Sequence, residues 1–397
     1  MTKRIAFITH SGYPSEPRAR RMAEAVAAHG YAVDVFCVRW PQQADFERLN
    51  DVAIYRLPLA RRQGGGARAY LAEYLRSFAL AAWRVSRQHV RDRYALIQVY
   101  NPPDILAFST LLPRLGSGTR IVLDVRDMAP ELFMSRFGLR PDHPITRTLR
   151  THERWACRYA DAVTVCSAYQ RNVMAARGIA PGKMTVVMNT PDPAIFGEPI
   201  PLPRPPAPPD KPFTLLFHGS ILERYGVETL IEAIPLLAPE IPDLRLAFHG
   251  TGDFEPAAQA LAQRLGVENI VRFHGLMPLE AMPALIATAD IGVVPTRRDV
   301  FTQTIIATRL FEYVHMGVPA VAARLAAAAE CFTDDMVAYF EPGDPADLAR
   351  QVLALYRDRE RGQAMARNAR RFSAEHNWTH DGAVYTALID RLLGAQK

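Results

Sequence analysis

Eight of the fourteen residues from 199 to 212 are proline, PIPLPRPPAPPDKP. Proline has no backbone N–H and its ring fixes φ, so neither a helix interior nor a central sheet ladder runs through such a stretch. It predicts an extended, semi-rigid connector between two domains. On either side of it one pattern repeats: a short β-branched or aromatic strand, a loop, an amphipathic helix and another strand. Strands that alternate with helices in this way build parallel sheets in α/β domains. The chain's 397 residues are enough for two such domains, each with its own core. The expected division is 1–198, the connector 199–212, and 213–375, with 376–397 left for a terminal helix.

The first half opens with a strand over 4–9, the loop HSGYPSEPRAR, a helix over 18–29 stopped by Gly30, and a strand over 31–38. This is a βαβ opening without the G-x-G-x-x-G spacing of a dinucleotide site. Gly12 would let the backbone approach a ligand, and Arg18 at the helix start would meet an anion; a simple turn with a surface arginine is the plainer reading. Further strands are read at 96–100, 120–125, 162–166 and 184–188, and NPPDILAF starts a helix after Pro103. Open parallel sheets bind ligands just beyond the C-terminal ends of their strands. Arg126, Asp127 and Glu131, in RDMAPELF after the 120–125 strand, are therefore placed for chemistry or for acceptor binding, with a salt-bridged loop as the alternative.

Charge narrows the partners. The formal net charge is +6, and residues 61–93 alone carry eight arginines against Glu73 and Asp92, a local excess of the same size. A flexible joint at Gly64 to Gly66 leads into a long helix over 67–93, in which Tyr70, Leu71, Tyr74, Leu75, Phe78, Ala82 and Trp83 recur at helical spacing. The plainer reading is a helix packed on the sheet with a solvated basic face. The sharper one is an interfacial helix that brings the protein to a lipid-linked acceptor. No nucleic-acid module is present, so nucleic acid is not the expected partner. No apolar run approaches the ~18 residues of a membrane span, and MTKRIAFITH enters a strand too soon for a signal peptide. The expected location is the cytoplasm, or the inner face of the membrane through 67–93. Cys37, Cys157, Cys166 and Cys331 have no C-x-x-C spacing and are expected as reduced, mostly buried thiols.

The second half reads as strands at 213–217, 244–248, 271–274 and 291–294, with a helix over 228–237. Three strands end in His-Gly: His218-Gly219, His249-Gly250 and His274-Gly275. Glycines at strand ends permit close backbone approach, so the three suggest one lined edge, with the histidines structural rather than catalytic. Residues 302–321, TQTIIATRLFEYVHMGVPAV, read as a loop turning into a helix at about Thr308, stopped by Gly317, with a strand over 320–323. Glu312 lies in that helix in apolar company, which packing alone does not require. A helix N-terminus suits phosphate, and Arg309 in its first turn would help an anion there. Helices over 344–357, through 371, and over 380–393 close the chain, with Trp378 anchoring the last.

Taken together these segments resemble the retaining glycosyltransferases of family 4. FEYVHMGVPAV is similar to the family's F-E-Y-x-x-x-G-x-P-V segment, LAFHGTG to its strand ending in G-x-G, and VRFHGLMP to the loop near the nucleotide base. DIGVVPTRRD is similar to the strand entering the donor site, and EPGDPADLA also has the family look. NPPDIL, DVRDMAPELF and VVMNTPD resemble polysaccharide- and glycoconjugate-building bacterial members. The resemblance implies the GT-B fold, two Rossmann-like domains facing across a cleft, with the C-terminal helix crossing back to the first. It implies a nucleotide-sugar donor held by the second domain, Glu312 on the ribose, and a glycan or lipid-linked acceptor. Three positions depart from the family pattern. Thr304 stands where a second glutamate usually reaches the sugar, Tyr225-Gly226 where Lys-Gly holds the diphosphate, and Ala326 to Ala329 where a turn-forming glycine is common.

The implied chemistry is departure of a nucleoside diphosphate from an anomeric carbon with retention. Negative charge grows on the leaving phosphate, so fixed positive groups aimed there are the main device. Arg224, Arg309 and the backbone of Ile306, Ala307 and Thr308 are the candidates, with Asp127 on the acceptor side. Gly12, Gly219, Ser220, Gly250, Gly252, His274, Gly275, Thr304 and Glu312 complete the expected donor surface. Tyr13, Arg18, Arg126 and Glu131 complete the acceptor side. No D-x-D occurs in the sequence, so neither a metal nor any other cofactor is expected. Two rivals remain: a sugar-nucleotide-binding partner without transfer activity, and a GT-B sugar-nucleotide epimerase.

Overall fold

The computed structural model describes residues 2–59, 67–204 and 211–394. The glycine joint at 64–66 and the middle of the proline stretch, 205–210, lie outside the described residues, as do the side chains of Tyr70 and Leu71. The chain forms two compact units, one of Met1–Met188 with Asp381–Lys397, the other of Asn189–His380.

The first unit is built on eight strands: β1 (Arg4–Ile8), β2 (Ala32–Val38), β3 (Phe46–Leu49), β4 (Val52–Leu57), β5 (Tyr94–Tyr100), β6 (Arg120–Val125), β7 (Ala162–Val165) and β8 (Met184–Val186). Their order is β3-β4-β2-β1-β5-β6-β7-β8, parallel except for β3 against β4. Helices cover both faces, which is why β1, β5 and β6 read as nearly unbroken apolar runs. The antiparallel β3–β4 hairpin was not read from the sequence. Its turn is Asn50-Asp51, both with positive φ (49° and 62°), the signature of a type I′ hairpin in residues that tolerate it. β3 is the sheet's edge, and its Glu47 and Arg48 are charges of the kind that discourage edge pairing.

One buried ion pair organises this unit. Arg18, on the Pro17–Ala28 helix, donates through Nε (2.9 Å) and Nη2 (2.7 Å) to Asp124 of β6. Its Nη1 donates to the Val187 carbonyl at 2.7 Å, and the Thr164 hydroxyl donates to Asp124 at 2.5 Å. The final helix, Trp378–Leu393, starts at a buried Trp378 and docks from Asp381 onward on the same unit. There Tyr385 donates to Gln98 of β5 at 2.6 Å, and Asp390 meets His29 and Tyr31 at 2.9 and 2.6 Å.

The second unit has six parallel strands: β9 (Phe213–His218), β10 (Leu244–His249), β11 (Val271–Phe273), β12 (Ile291–Val294), β13 (Ala320–Ala323) and β14 (Ala338–Phe340). Their order is β11-β10-β9-β12-β13-β14. The direction of winding therefore reverses between β9 and β12, the switch point where doubly wound sheets open a crevice. The end of the proline stretch that is described is held against this unit. Arg204 donates to the carbonyls of Ala289 and Ala287 at 2.7 and 2.8 Å, and Arg370 to that of Ile200. No helix among the described residues is long and apolar enough to cross a membrane. Cys37 and Cys157 are buried and Cys166 and Cys331 half-buried.

Candidate functional site

The switch point of the second unit is closed on one side by the Thr308–Met316 helix, which starts at the expected residue and ends at Gly317 with φ +72°. Its N-cap is Ala307, which offers no side-chain acceptor, so the first-turn N–H groups have no cap. The approach to it is rigid. Asp299 Oδ1 accepts from the N–H groups of Phe301 and Thr302 at 2.7 Å each, and the Thr302 hydroxyl donates to the Arg297 carbonyl at 2.7 Å. Ile306 and Ala307 are half-buried and Thr308 exposed, so this loop reaches the surface of its unit.

Arg309 is the site's central cation. It is buried, with its guanidinium 4.0 Å from the Phe217 ring and 5.1 Å from the Tyr225 ring. Its Nη1 is enclosed and has no hydrogen-bond partner. Burial pulls its pKa down, yet arginine stays protonated in proteins. An enclosed guanidinium nitrogen without an acceptor carries a desolvation penalty that a bound anion would relieve. Gly219 lets it lie there: φ is +105°, and a Cβ would stand 3.0 Å from Arg309 Nη2.

One turn along the same helix, Glu312 is buried with a carboxylate oxygen 3.2 Å from His218 Nε2, off the line of a hydrogen bond. Burial first, then Arg309 and His249, push the His218 pKa well down, so this imidazole is neutral. Its ring stands edge-on to Tyr313, whose hydroxyl donates to the Leu216 carbonyl at 2.8 Å. The His-Gly strand ends are bonded to one another. Gly219 N–H donates to the His249 carbonyl at 2.8 Å and Gly250 N–H to that of Gly275 at 2.7 Å. His249 and His274 stack at 4.5 Å. The close approach expected of these glycines is in part made by the chain itself. A Cβ on Gly250 would lie 1.9 Å from the Gly219 carbonyl oxygen, and one on Gly252 would lie 2.1 Å from that of Ile221. Ser220 is exposed, and His274 is exposed beside Gly275.

Arg224 sits half-buried in the single turn Glu223–Tyr225, 5.6 Å from the Phe301 ring, and its carbonyl accepts from Arg297 N–H at 3.0 Å. The neighbouring Arg297 is paired with Glu223 and Glu228. The Thr304 hydroxyl is engaged by its own turn, donating to the Phe301 carbonyl at 2.7 Å. The alanine run forms a helix, Ala326–Cys331, whose first N–H donates to Gln303 Oε1 at 2.6 Å. That cap was missed because glutamine and alanine lie 23 residues apart.

In the first unit, Arg126 and Asp127 lie half-buried beyond β6 and share one organiser, Asn101 at the end of β5. The Asn101 amide oxygen accepts from Arg126 N–H (2.8 Å), and its nitrogen donates to the Asp127 carbonyl (2.7 Å) and to Asp104 (2.9 Å). Burial pushes the Asp104 pKa up to about 6. His10, at the end of β1, lies 2.9 Å from both Ser77 and Glu73 and pins the Ala67–Arg91 helix there. Sequence reading did not single it out.

Four expectations in the first unit are corrected, three on the acceptor side and one, Gly12, on the donor surface. Arg18 is sealed in its pair with Asp124, so it meets a side chain rather than a ligand. Glu131 is buried and held by Arg177, which also meets Glu153 at 3.3 Å. Tyr13 is fully buried, and its hydroxyl lies among core groups without a partner. Gly12 is approached by Trp40, not by open space: a Cβ there would fall 1.8 Å from the indole nitrogen. Among the described residues, no three His, Cys, Asp or Glu side chains converge to hold a metal ion.

Residues 15–190 match the glycosyl transferase 4-like domain family, and residues 212–358 match the family described as glycosyl transferases group 1. Over 183 residues the chain is 30% identical to the putative glycosyltransferase EpsD of Bacillus subtilis, covering 45% of this chain and 46% of that one. Over 187 residues it is 30% identical to the GDP-mannose-dependent alpha-(1-6)-phosphatidylinositol monomannoside mannosyltransferase of Mycolicibacterium smegmatis, covering 45% and 48%. The matched segments thus span about half the length of these curated relatives. The fold is similar to that of sucrose-phosphate synthase from Thermosynechococcus elongatus (TM-score 0.79, 19% identity, 99% and 100% of the chains covered). It is also similar to that of Anabaena HepE in complex with UDP (0.71, 16%, 98% and 100%).

Proposed function

This chain belongs to the group 1 glycosyltransferases, its first half a glycosyl transferase 4-like domain on the GT-B plan, and from that premise we propose a specific reaction. It moves a sugar from a nucleoside-diphosphate sugar to an acceptor hydroxyl, with retention and without a metal, in building a polysaccharide or glycoconjugate. The observation that carries this is the partnerless Nη1 of buried Arg309, beside Gly219 and an uncapped helix start. These groups offer a diphosphate one fixed charge and several N–H donors. As the anomeric C–O bond breaks, the leaving phosphate gains charge, and donors already in place stabilise it without reorganising. Arg224 adds a second cation. Glu312, on the same helix face as Arg309, takes the ribose hydroxyls, which accords with a carboxylate kept beside a neutral imidazole. Asp127, held by Asn101, is the acceptor-side polar group.

For the acceptor, the surface of the first unit favours a lipid-linked one at the inner face of the membrane. Trp83 is 55% exposed and Val90 83% exposed on the Ala67–Arg91 helix, with Arg84 and Arg87 5.9 and 5.6 Å from the Trp83 ring. The helix packed beside it, Leu111–Ser117, leaves Leu112 and Leu115 68% and 74% exposed. Apolar side chains flanked by arginine suit the boundary of an anionic bilayer.

The test is donor consumption with UDP-, GDP- and ADP-sugars, each with soluble saccharides and with glycolipid in neutral or anionic vesicles, with and without EDTA. The expected result is EDTA-resistant release of one nucleoside diphosphate, fastest with glycolipid on anionic vesicles, and a product of unchanged anomeric configuration. Donor interconversion without acceptor would mean an epimerase. Donor binding without turnover under any condition would mean the non-transferring partner.

A further inference from the structure

Trp40 stands just beyond the end of β2, at the C-terminal edge of the first sheet, where open parallel sheets take their ligands. Its indole is held in place. Nε1 lies so close to Gly12 that a Cβ there would fall 1.8 Å from it, and the same point is 2.9 Å from Ser15 Oγ. The Gln43 side-chain oxygen accepts from Trp40 N–H at 3.0 Å, and Gln43 N–H donates to the Trp40 carbonyl at 3.2 Å. Between them Gln42 turns the chain with φ +68°. Among the described residues Trp40 makes only these two hydrogen bonds, both through its backbone, so its indole N–H is left to donate. For all this fixing, Trp40 stays 37% exposed.

An exposed indole alone is ordinary, and the surroundings of this one decide what it suits. Trp83 has exposed valine and leucine on its own helix and the one beside it, as a bilayer contact would. The exposed residues around Trp40 are Arg39, Pro41, Gln42 and Ser15, so one apolar ring sits in a polar rim. A lipid tail would gain that ring and little else. A pyranose matches both parts. One of its faces is a patch of C–H groups, whose slightly positive hydrogens pack on the negative face of an aromatic ring. Its hydroxyls point outward from the edge and need partners, which the indole N–H, the Ser15 hydroxyl and the Gln42 amide can supply. A nucleobase would also stack, but the nucleotide is assigned to the second unit through Arg309 and Glu312.

Resting on the acceptor reading above, we propose that Trp40 is the platform on which a pyranose ring of the acceptor stacks, so that the acceptor is itself a glycoside. The loop after β1 ties this platform to the acceptor-side groups. Its Gly12 meets Trp40, and its Ser11 hydroxyl lies 3.5 Å from Arg126 Nη2. β1 lies between β2 and β6 in the sheet, so Trp40 and Arg126 reach that loop from opposite sides. A sugar on Trp40 is therefore one short loop away from Arg126 and its neighbour Asp127. A lipid bearing only a phosphate or a polyol head has no ring to use this surface.

The test is saturation-transfer NMR on the full chain with octyl pyranosides of glucose, galactose, mannose and N-acetylglucosamine, below their micelle concentrations. Octyl phosphate and octylglycerol serve as controls with the same tail. The expected result is transfer to the pyranose C–H protons of at least one glycoside, with Kd raised about tenfold in Trp40→Ala. Trp40→Phe, which keeps an aromatic face, should retain most of the affinity. Gly12→Ala, which displaces the ring without removing it, should lose affinity as Trp40→Ala does. Nucleoside-diphosphate binding should be unchanged in Trp40→Ala, which also shows that the variant is folded. Transfer to the tails alone, equal binding of the controls, or undiminished binding in Trp40→Ala overturns the proposal while the nucleotide still binds. Absence of binding by every nucleoside diphosphate would instead remove the transferase reading, and the acceptor platform with it.

Discussion

Arg309→Met is expected to lower kcat/KM for the donor by about 10²–10³, the usual loss when one fixed donor at a developing negative charge is removed. The same substitution is expected to leave the unliganded protein as stable or more stable. Arg309 is stacked between Phe217 and Tyr225 with Nη1 unbonded, so methionine keeps much of the hydrocarbon contact and removes a desolvated charge. Gain of stability with loss of turnover is the mark of a residue retained for function. Arg309→Lys should recover little, because an ammonium on a flexible stem cannot reproduce a planar guanidinium held between two rings. Steady-state kinetics and urea unfolding on the same three proteins check this. A packing-only arginine would show the reverse, a drop in stability with kcat/KM unchanged.

Asp124→Ala should have the largest effect on folding, about 3–5 kcal/mol, as expected when one partner of a buried pair is removed and the other charge remains. Arg18 would lose the acceptor of its Nε and Nη2 groups, and the Thr164 hydroxyl would lose its acceptor as well. Domain stabilities are about 5–15 kcal/mol, so the loss would take much of the first unit's margin. Denaturant unfolding should resolve an early transition of that unit, with the second unit's transition nearly unmoved. The paired change Arg18→Met with Asp124→Leu should recover most of the loss, because no lone charge remains buried. A single Asp124→Ala that shifts stability by under about 0.5 kcal/mol, the range of ordinary surface changes, would contradict the ion pair's role.

These two arginines mark the boundary of what the sequence reveals. Both were read as anion-binding residues at helix starts, from local context alone. For the helix that carries Arg309 the local signals suffice to place both ends, since the uncapped start at Ala307 and the stop at Gly317 are written in neighbouring residues. The same holds for β6 and β12, whose apolar runs set both of their ends. For Arg18 the deciding group is Asp124, 106 residues away and buried in the middle of the sheet. No local pattern announces that pairing. Glu131 was misplaced for the same reason, since its partner Arg177 lies 46 residues on. The Gln303 cap on the alanine helix and the His10 link to Glu73 and Ser77 are likewise set by packing between elements. The Asn50-Asp51 hairpin is a different case: its signal is local, and β-strands as short as Phe46–Leu49 are easily passed over.

A nucleoside diphosphate held on the surface around Arg309 and Glu312 would register in thermal unfolding with UDP, GDP and ADP. A ligand at ~100 times its Kd should stabilise the protein by about 2.7 kcal/mol, a readily measured rise in Tm. The expected result is such a rise with one of the three, unaffected by EDTA and lost in Glu312→Ala. No rise with any nucleotide at millimolar concentration, or a rise that persists undiminished in Glu312→Ala, would contradict it.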